Sequence, residues 1–318
     1  MAPSGRRPAG RPRSVDRGAD GPRRGRTIGS GHHAGVTIAG ALRAGLAGLE
    51  GRDSPRLEAE LLLAWAMGCS RAQLLARRDD ELPAEVEERY REGLARRSRG
   101  EPIAYILGRR EFMSLEFEVD RTVLIPRPET EILVEEALRR TDGRPVTLAE
   151  MGTGSGAVAV AVAHYGRGPV IHATDCCRSA LALARRNASR HGVAGRVVFW
   201  RGDHLEPLLS AELQGRLTGV VANPPYVPTG DLRRLPRSVR DWEPTLALDG
   251  GPDGLRSYRI LGRQAAALLA PGGWMGVEVG AGQAGAVTAI LAAAGFDRLV
   301  SLSDLAGHRR AVFGELPE

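Results

Sequence analysis

Apolar positions along the chain follow two rhythms. From Thr37 to about residue 105 they recur at helical spacing. Ile38, Leu42, Leu46 and Leu49 form one stripe behind Thr37, an N-cap whose hydroxyl can take an N–H of the first turn. Ser54-Pro55 opens a second helix, with proline where its missing N–H is no loss, and Leu57, Leu61 and Trp65 form its apolar face. A third helix carries Val86, Tyr90 and Leu94 on one side and pairs Glu87 with Arg91 one turn later. After a strand-like stretch from Leu115 to Val123, strands and helices alternate. Strands are expected at 145–151, 169–174, 196–200, 217–222, 273–279 and 297–302, and helices at 155–165, 178–191, 254–269 and 283–294. That alternation predicts an α/β protein with a doubly wound, Rossmann-like parallel sheet covered on both faces, preceded by a small helical domain.

Three segments are therefore expected: an extension at 1–34, a helical domain at 35–105 and a sheet domain at 106–318. The extension is rich in Arg, Gly and Pro and too poor in apolar residues to offset its ordering entropy, so it reads as disordered. It also explains the charge. All 44 basic residues are arginine, and the net charge is +6. Eight arginines and two aspartates lie in 1–34, which leaves 36 arginines against 36 acidic residues in the rest. A charge-neutral body carries no overall basic bias, so stable nucleic-acid binding is not expected. No apolar run approaches the roughly 18 residues of a membrane span, and the basic N-terminus lacks the apolar core of a secretory signal. Three cysteines, two of them adjacent, match neither a disulfide framework nor a zinc spacing. The expectation is a cytoplasmic protein without a metal.

In a doubly wound fold ligands bind beyond the carboxyl ends of the strands, so the loops there are where chemistry is expected. Glu150-Met151-Gly152-Thr153-Gly154-Ser155-Gly156-Ala157 runs from a strand through a glycine turn into a helix. Glycines let the backbone turn sharply and let a nucleotide-type ligand approach a helix N-terminus. Asp175 ends the next strand, 23 residues after Gly152, where a carboxylate can accept from both hydroxyls of a ribose or else cap the following helix. Asp203 and His204 follow the third strand, within reach of an adenine edge, although a structural loop Asp reads equally well. These loops fit a nicotinamide dinucleotide or S-adenosylmethionine equally. Asn223-Pro224-Pro225-Tyr226, directly after the apolar strand Leu217 to Ala222, separates the two. Its prolines fix the turn and remove two N–H donors, so carbonyls and the Asn223 amide oxygen remain as acceptors beside an aromatic wall. Such a loop can grip both hydrogens of a planar NH2 group, and a nicotinamide enzyme has no use for it.

Asn-Pro-Pro-Tyr in this place resembles the signature of methyltransferases that act on nitrogens conjugated to a planar system, including DNA adenine, rRNA guanine and glutamine enzymes. Four further segments are similar to the bacterial release-factor N5-glutamine methyltransferases. They are Gly108 to Phe112, Leu124-Ile125-Pro126-Arg127-Pro128-Glu129-Thr130-Glu131, Ala247-Leu248-Asp249-Gly250-Gly251-Pro252-Asp253-Gly254-Leu255, and Asp304 to Gly307 followed by Arg310. The resemblance covers about residues 37–315. The related ribosomal-protein enzymes typically carry Pro-Arg-Ser-Pro where this chain has Pro-Arg-Pro-Glu. The resemblance implies S-adenosylmethionine as cofactor, held by Gly152, Thr153, Gly154, Ser155, Gly156, Asp175, Asp203, His204 and Asn223. It implies release factors as protein partners, catalysis by Asn223 and the Pro224 carbonyl, and a glutamine pocket walled by Pro225, Tyr226 and Phe112. Two departures stand out. Glu150-Met151 replaces the usual Asp-Leu, and His204 stands where some members carry an aromatic residue.

Overall fold

A computed structural model describes residues 36–211 and 213–318, so the extension expected at 1–34 lies outside the described residues. Five helices come first: α1 Ile38–Gly48, α2 Pro55–Met67, α3 Arg71–Ala76, α4 Ala84–Ser98 and α5 Ile103–Leu107. A hairpin of β1 Arg109–Phe112 and β2 Leu115–Glu118 follows, then a single 3-10 turn at Pro128–Thr130 and α6 Glu131–Thr141. The alternating part runs β3 Thr147–Met151, α7 Ala157–Tyr165, β4 Val170–Asp175, α8 Arg178–Arg190, β5 Val197–Arg201, α9 Glu206–Ser210 and β6 Leu217–Ala222. It ends with α10 Arg237–Arg240, α11 Arg256–Leu268, β7 Leu269–Glu278, α12 Ala284–Ala293, β8 Asp297–Ser303 and β9 Arg309–Glu315.

The helices start and stop where local chemistry dictates. Thr37 caps α1 by accepting the Gly40 N–H at 3.1 Å, and α2 ends at Gly68 in the left-handed conformation that glycine adopts without strain. The expected Glu87–Arg91 pair forms at 2.8 Å on α4. Two of the expected apolar faces need correction. On α1 the buried positions are Ile38, Ala41, Gly45 and Leu49, while Leu46 is exposed. On α2 they are Ala59, Glu60, Leu62, Leu63, Ala64 and Ala66, while Leu57 is exposed. Small residues at Ala41 and Gly45 let neighbours approach closely. A Cβ on Gly45 would fall 1.8 Å from the Tyr90 hydroxyl.

Seven strands form one sheet in the order β5-β4-β3-β6-β7-β9-β8. The five from β5 to β7 are parallel, as the strand–helix alternation predicts. The expected all-parallel sheet is corrected at the far edge, where β9 pairs antiparallel with both β7 and β8. Since β8 and β9 are joined by the short turn 304–308, the second must return alongside the first, and only antiparallel pairing permits that. The expected strand at 115–123 is also shorter, ending at Glu118 and pairing with β1 as a hairpin outside the main sheet.

Alternate residues of the strands feed two cores. Leu148, Val221, Trp274 and Phe313 pack against α6 and α7, and Ala149, Val220, Met275 and Val312 pack against α11 and α12. Two glycines in the sheet make room for aromatic rings on the strand beside them. A Cβ on Gly219 would lie 2.4 Å from the Trp274 ring, and one on Gly276 would lie 2.1 Å from the Phe313 ring. Each ring belongs to the residue registered directly opposite. The α1–α5 helices have their own core, including Leu62, Leu63 and Leu74. They meet the sheet region through a small cluster of Tyr105, Val119, Ile125 and Leu183, where the Tyr105 hydroxyl donates to the Val123 carbonyl at 2.6 Å. Among the described residues no helix is long and apolar enough to cross a membrane.

Candidate active site

The chain runs outward from β3 to β5 and then returns to add β6 on the other side of β3. The strand order therefore reverses between β3 and β6, and the loops leaving these two neighbours diverge over a crevice. The glycine loop leaves β3, and the Asn223 loop leaves β6. They start side by side, since Met151 pairs with Ala222 and a Cβ on Gly152 would lie 3.9 Å from the Asn223 carbonyl oxygen.

The cavity at this point is lined by Gly152, Thr153, Gly154 and Ser155, by Asp175, Asp203 and His204, and by Asn223, Pro225 and Phe112. Gly156, Pro224 and Tyr226 stand behind its surface. Gly156 takes a φ of +82° at the start of α7, and a Cβ there would press to 3.1 Å on Ala184. Pro224 is buried, and Tyr226 packs against the core below the loop. Phe112 is itself a core residue, in edge contact with Phe117, and offers only part of its surface to the cavity.

Asp175 accepts the Gly154 N–H at 2.9 Å on one oxygen and the Cys177 N–H at 2.8 Å on the other. It thereby ties the glycine loop to the start of α8, although its side chain does not cap that helix. Burial pushes its carboxyl above the usual Asp range despite these bonds. A half-buried carboxylate at the wall of a cavity, with lone pairs left beyond those two bonds, fits a ligand that brings hydroxyl groups. Asp203 is largely exposed, and its Oδ1 lies 2.8 Å from His204 Nδ1. The other imidazole nitrogen lies 3.1 Å from the Ser257 hydroxyl, which pins the ring at the cavity wall.

Glu150, one methylene longer than the usual Asp, is buried under the glycine loop. The carboxylate accepts the Thr153 hydroxyl at 2.5 Å beneath the glycine loop. Burial, helped by the charge of Asp175, pushes its pKa from 4.5 up to about 7 against the pull of Thr153 and the Ala159 N–H. A carboxyl with a raised folded pKa contributes stability that is present below its unfolded value and lost as pH rises through about 7. Glu150→Gln, which stays neutral, is therefore expected to gain about 2 kcal/mol on the parent above neutrality and little or nothing at acid pH. Thermal melts across pH check this, and a constant difference between the two proteins would refute it.

The Asn223 loop is held from outside. The Val227 N–H donates to the Leu248 carbonyl at 2.9 Å, and the Gly250 N–H donates to the Val227 carbonyl at 2.8 Å. Gln283 Nε2 donates to the Tyr226 carbonyl at 2.9 Å while its Oε1 accepts the Gly280 N–H. The Asp249-Gly250-Gly251 turn is thus the cradle of the Asn223 loop. A roof comes from the segment that follows the loop. Glu243, buried, pairs with Arg127 and accepts the Ile125 N–H, which brings Pro244, Leu246 and Ala247 over the cavity.

Several of these residues escape the sequence reading. Arg127 and Thr130 stand in the Leu124–Glu131 segment, where nothing local marks them for chemistry, and Leu246, Ser257, Glu278 and Gln283 lie outside any loop that signals function. Only Gln283 leaves a trace, as a polar residue opening an apolar helix.

A crevice at the strand-order reversal, a glycine loop entering a helix and a carboxylate at the end of the next strand define a nucleotide-cofactor enzyme, and the Asn223 loop with the family matches makes it a methyltransferase. The methyltransferase small domain family matches residues 128–234. The hMettl16 catalytic domain, solved with the MAT2A 3′UTR hairpin 6, shares the fold at a TM-score of 0.53 and 14% identity over 71% of this chain and 83% of that one. The PrmC N-terminal domain family matches residues 40–108, the α1–α5 region. The release factor glutamine methyltransferase of Moorella thermoacetica is 47% identical over 82% of this chain and 91% of that protein. That of Geobacter sulfurreducens is 42% identical over 84% and 92%. The chain belongs to the release factor glutamine methyltransferase family.

Proposed function

We propose that this protein methylates the side-chain amide nitrogen of the glutamine in the Gly-Gly-Gln loop of peptide-chain release factors, using S-adenosylmethionine. The observation that carries the reading is the Asn223 loop, an acceptor-rich turn beside the glycine loop, in a chain whose relatives are named release factor glutamine methyltransferases. Gly152 to Ser155, Asp175 and His204 would hold the cofactor, with Asp175 taking the ribose hydroxyls. Bound there, the cofactor supplies an electrophilic methyl group.

The residues of the chain then have to orient a poor nucleophile, since the lone pair of a carboxamide nitrogen is delocalised into its carbonyl. Asn223 Oδ1 and the Pro224 carbonyl accept the two amide hydrogens. They turn the nitrogen toward the cofactor side and strengthen their bonds as it gains positive charge. The methylated nitrogen is strongly acidic, so no dedicated base is required. Pro225 and the roof residue Leu246, which is largely exposed, narrow the entrance to a size that an extended glycine-flanked loop can enter. The α1–α5 helices serve to grip the body of the factor, and three free cysteines suit a reducing cytoplasm.

Incubating the protein with labelled S-adenosylmethionine and an intact release factor, followed by mass mapping, is expected to find one methyl group on the Gly-Gly-Gln glutamine. Transfer to DNA with none to the factor would overturn the reading. Transfer only to a ribosomal-protein glutamine would keep the chemistry and overturn the substrate.

A further inference from the structure

The amide of Asn223 can sit in two orientations related by a half-turn, and only one of them serves an incoming NH2 group. With Oδ1 toward the cavity it accepts. With Nδ2 toward the cavity it sets two donors against each other.

In the structure Asn223 Nδ2 donates to the Thr130 hydroxyl oxygen at 3.1 Å, and the Thr130 hydroxyl donates to Glu278 Oε2 at 2.5 Å. The three residues come from the loop after β6, the turn before α6 and the end of β7. Thr130 and Glu278 are 5% and 3% exposed, so water does not substitute for either partner. A threonine alone would not choose between the two orientations, because its hydroxyl can donate or accept. An ionised carboxylate only accepts. It consumes the single hydroxyl proton and leaves the Thr130 oxygen nothing to do but accept from the Asn223 nitrogen. We propose that Glu278 and Thr130 are positioning residues that lock the Asn223 amide with its oxygen toward the substrate. This rests on the reading above, in which Asn223 Oδ1 grips the glutamine amide.

The surroundings of Glu278 make the lock sensitive to pH. Burial pushes its pKa up to about 7. The Thr130 bond opposes that rise, Glu129 adds to it, and Arg310 and Arg127 pull it back. Tyr226 and Tyr258 complete the titratable groups around it, and the Tyr258 hydroxyl donates to the Glu278 backbone carbonyl at 2.8 Å, not to its carboxylate. Once protonated, Glu278 can donate to Thr130, whose own proton is then free to point at Asn223, and the amide is released to turn over. Turnover should therefore fall as pH drops through about 7.

The test is steady-state methylation of a release factor by four variants, alongside calorimetric cofactor affinity and melting temperature. Thr130→Val keeps the shape and removes the hydroxyl. It is expected to lose about tenfold or more in kcat with cofactor affinity near the parent, and to melt several degrees lower because the buried Glu278 carboxylate loses its partner. Thr130→Ser, which restores the hydroxyl, should recover most of that loss. Glu278→Gln should turn over more slowly and lose the acid limb of the pH profile. Asn223→Ala separates the two levels of the argument. If it is severely impaired while Thr130→Val matches the parent, the lock is refuted and the role of Asn223 stands. If it matches the parent, the role of Asn223 fails and the lock with it. Equal losses in Thr130→Val and Thr130→Ser, accompanied by lower melting temperatures, would make Thr130 a packing residue and overturn the proposal.

Discussion

Asn223→Ala is expected to lower kcat for release-factor methylation by about 100-fold or more, the scale of losing one preorganised hydrogen bond to a transition state. Cofactor affinity measured by calorimetry should change little, because the loop backbone is held independently of that side chain. The Val227 N–H still bonds the Leu248 carbonyl, and Gln283 still holds the Tyr226 carbonyl. The loss should fall on kcat more than on KM, since the bonds to the substrate nitrogen strengthen only as it becomes positive. Near-parental turnover would mean that Asn223 is a turn residue and that the acceptor mechanism is wrong.

Gly254→Ala should be nearly as damaging without touching the cavity. A Cβ at this position would fall 2.3 Å from the Tyr226 carbonyl oxygen and 2.6 Å from Gln283 Nε2, and the backbone sits at a φ of +74°. The first contact is with the backbone of the Asn223 loop itself, which cannot swing aside as a flexible side chain would. Overpacking and left-handed strain together cost about 2–4 kcal/mol of stability. A displacement of even about 1 Å in the loop can take 100-fold from the rate. The expected result is a folded protein with a lower melting temperature and activity close to that of Asn223→Ala. Parental activity would show that the loop tolerates movement, contrary to the positional mechanism.

The parts of this architecture that the sequence announces share one property, which is that their signal is local. β3, β4, β5 and β6 are short, largely apolar runs, and a residue facing the crevice stands at or just beyond the end of each, so Gly152, Asp175 and Asn223 can be picked out by eye. What stayed hidden depends on distant partners. β9 reads Arg-Arg-Ala-Val-Phe-Gly-Glu, with charges at both ends, and becomes a strand by inserting between β7 and β8. α6 is amphipathic but so rich in Glu and Arg that its buried stripe of Leu133, Val134 and Ala137 is easily passed over. α3 and α5, at six and five residues, are too short to display a period. Leu46 and Leu57 misled because helix periodicity gives a stripe, whereas the neighbours of α1 and α2 decide which side of it is covered. Glu278 is the extreme case. An acid closing an apolar strand reads as a solvent-facing end until Thr130, 148 positions away in sequence, is found beneath it.

The glycine–aromatic pairs in the sheet bear on how such a protein can change over generations. Trp274 lies across the bare backbone of Gly219, and Phe313 across that of Gly276, each on the neighbouring strand. A side chain on either glycine would strike a ring, and a smaller residue in place of either ring would leave a void over a glycine that protects nothing. Single replacements are therefore penalised in both directions, so a change at one member calls for a compensating change at the other. The two positions of each pair behave as one inherited character. They should change together or stay together across descendants, and because Gly219 lies on the strand that delivers Asn223, an uncompensated change there would be felt at the reacting end of the sheet.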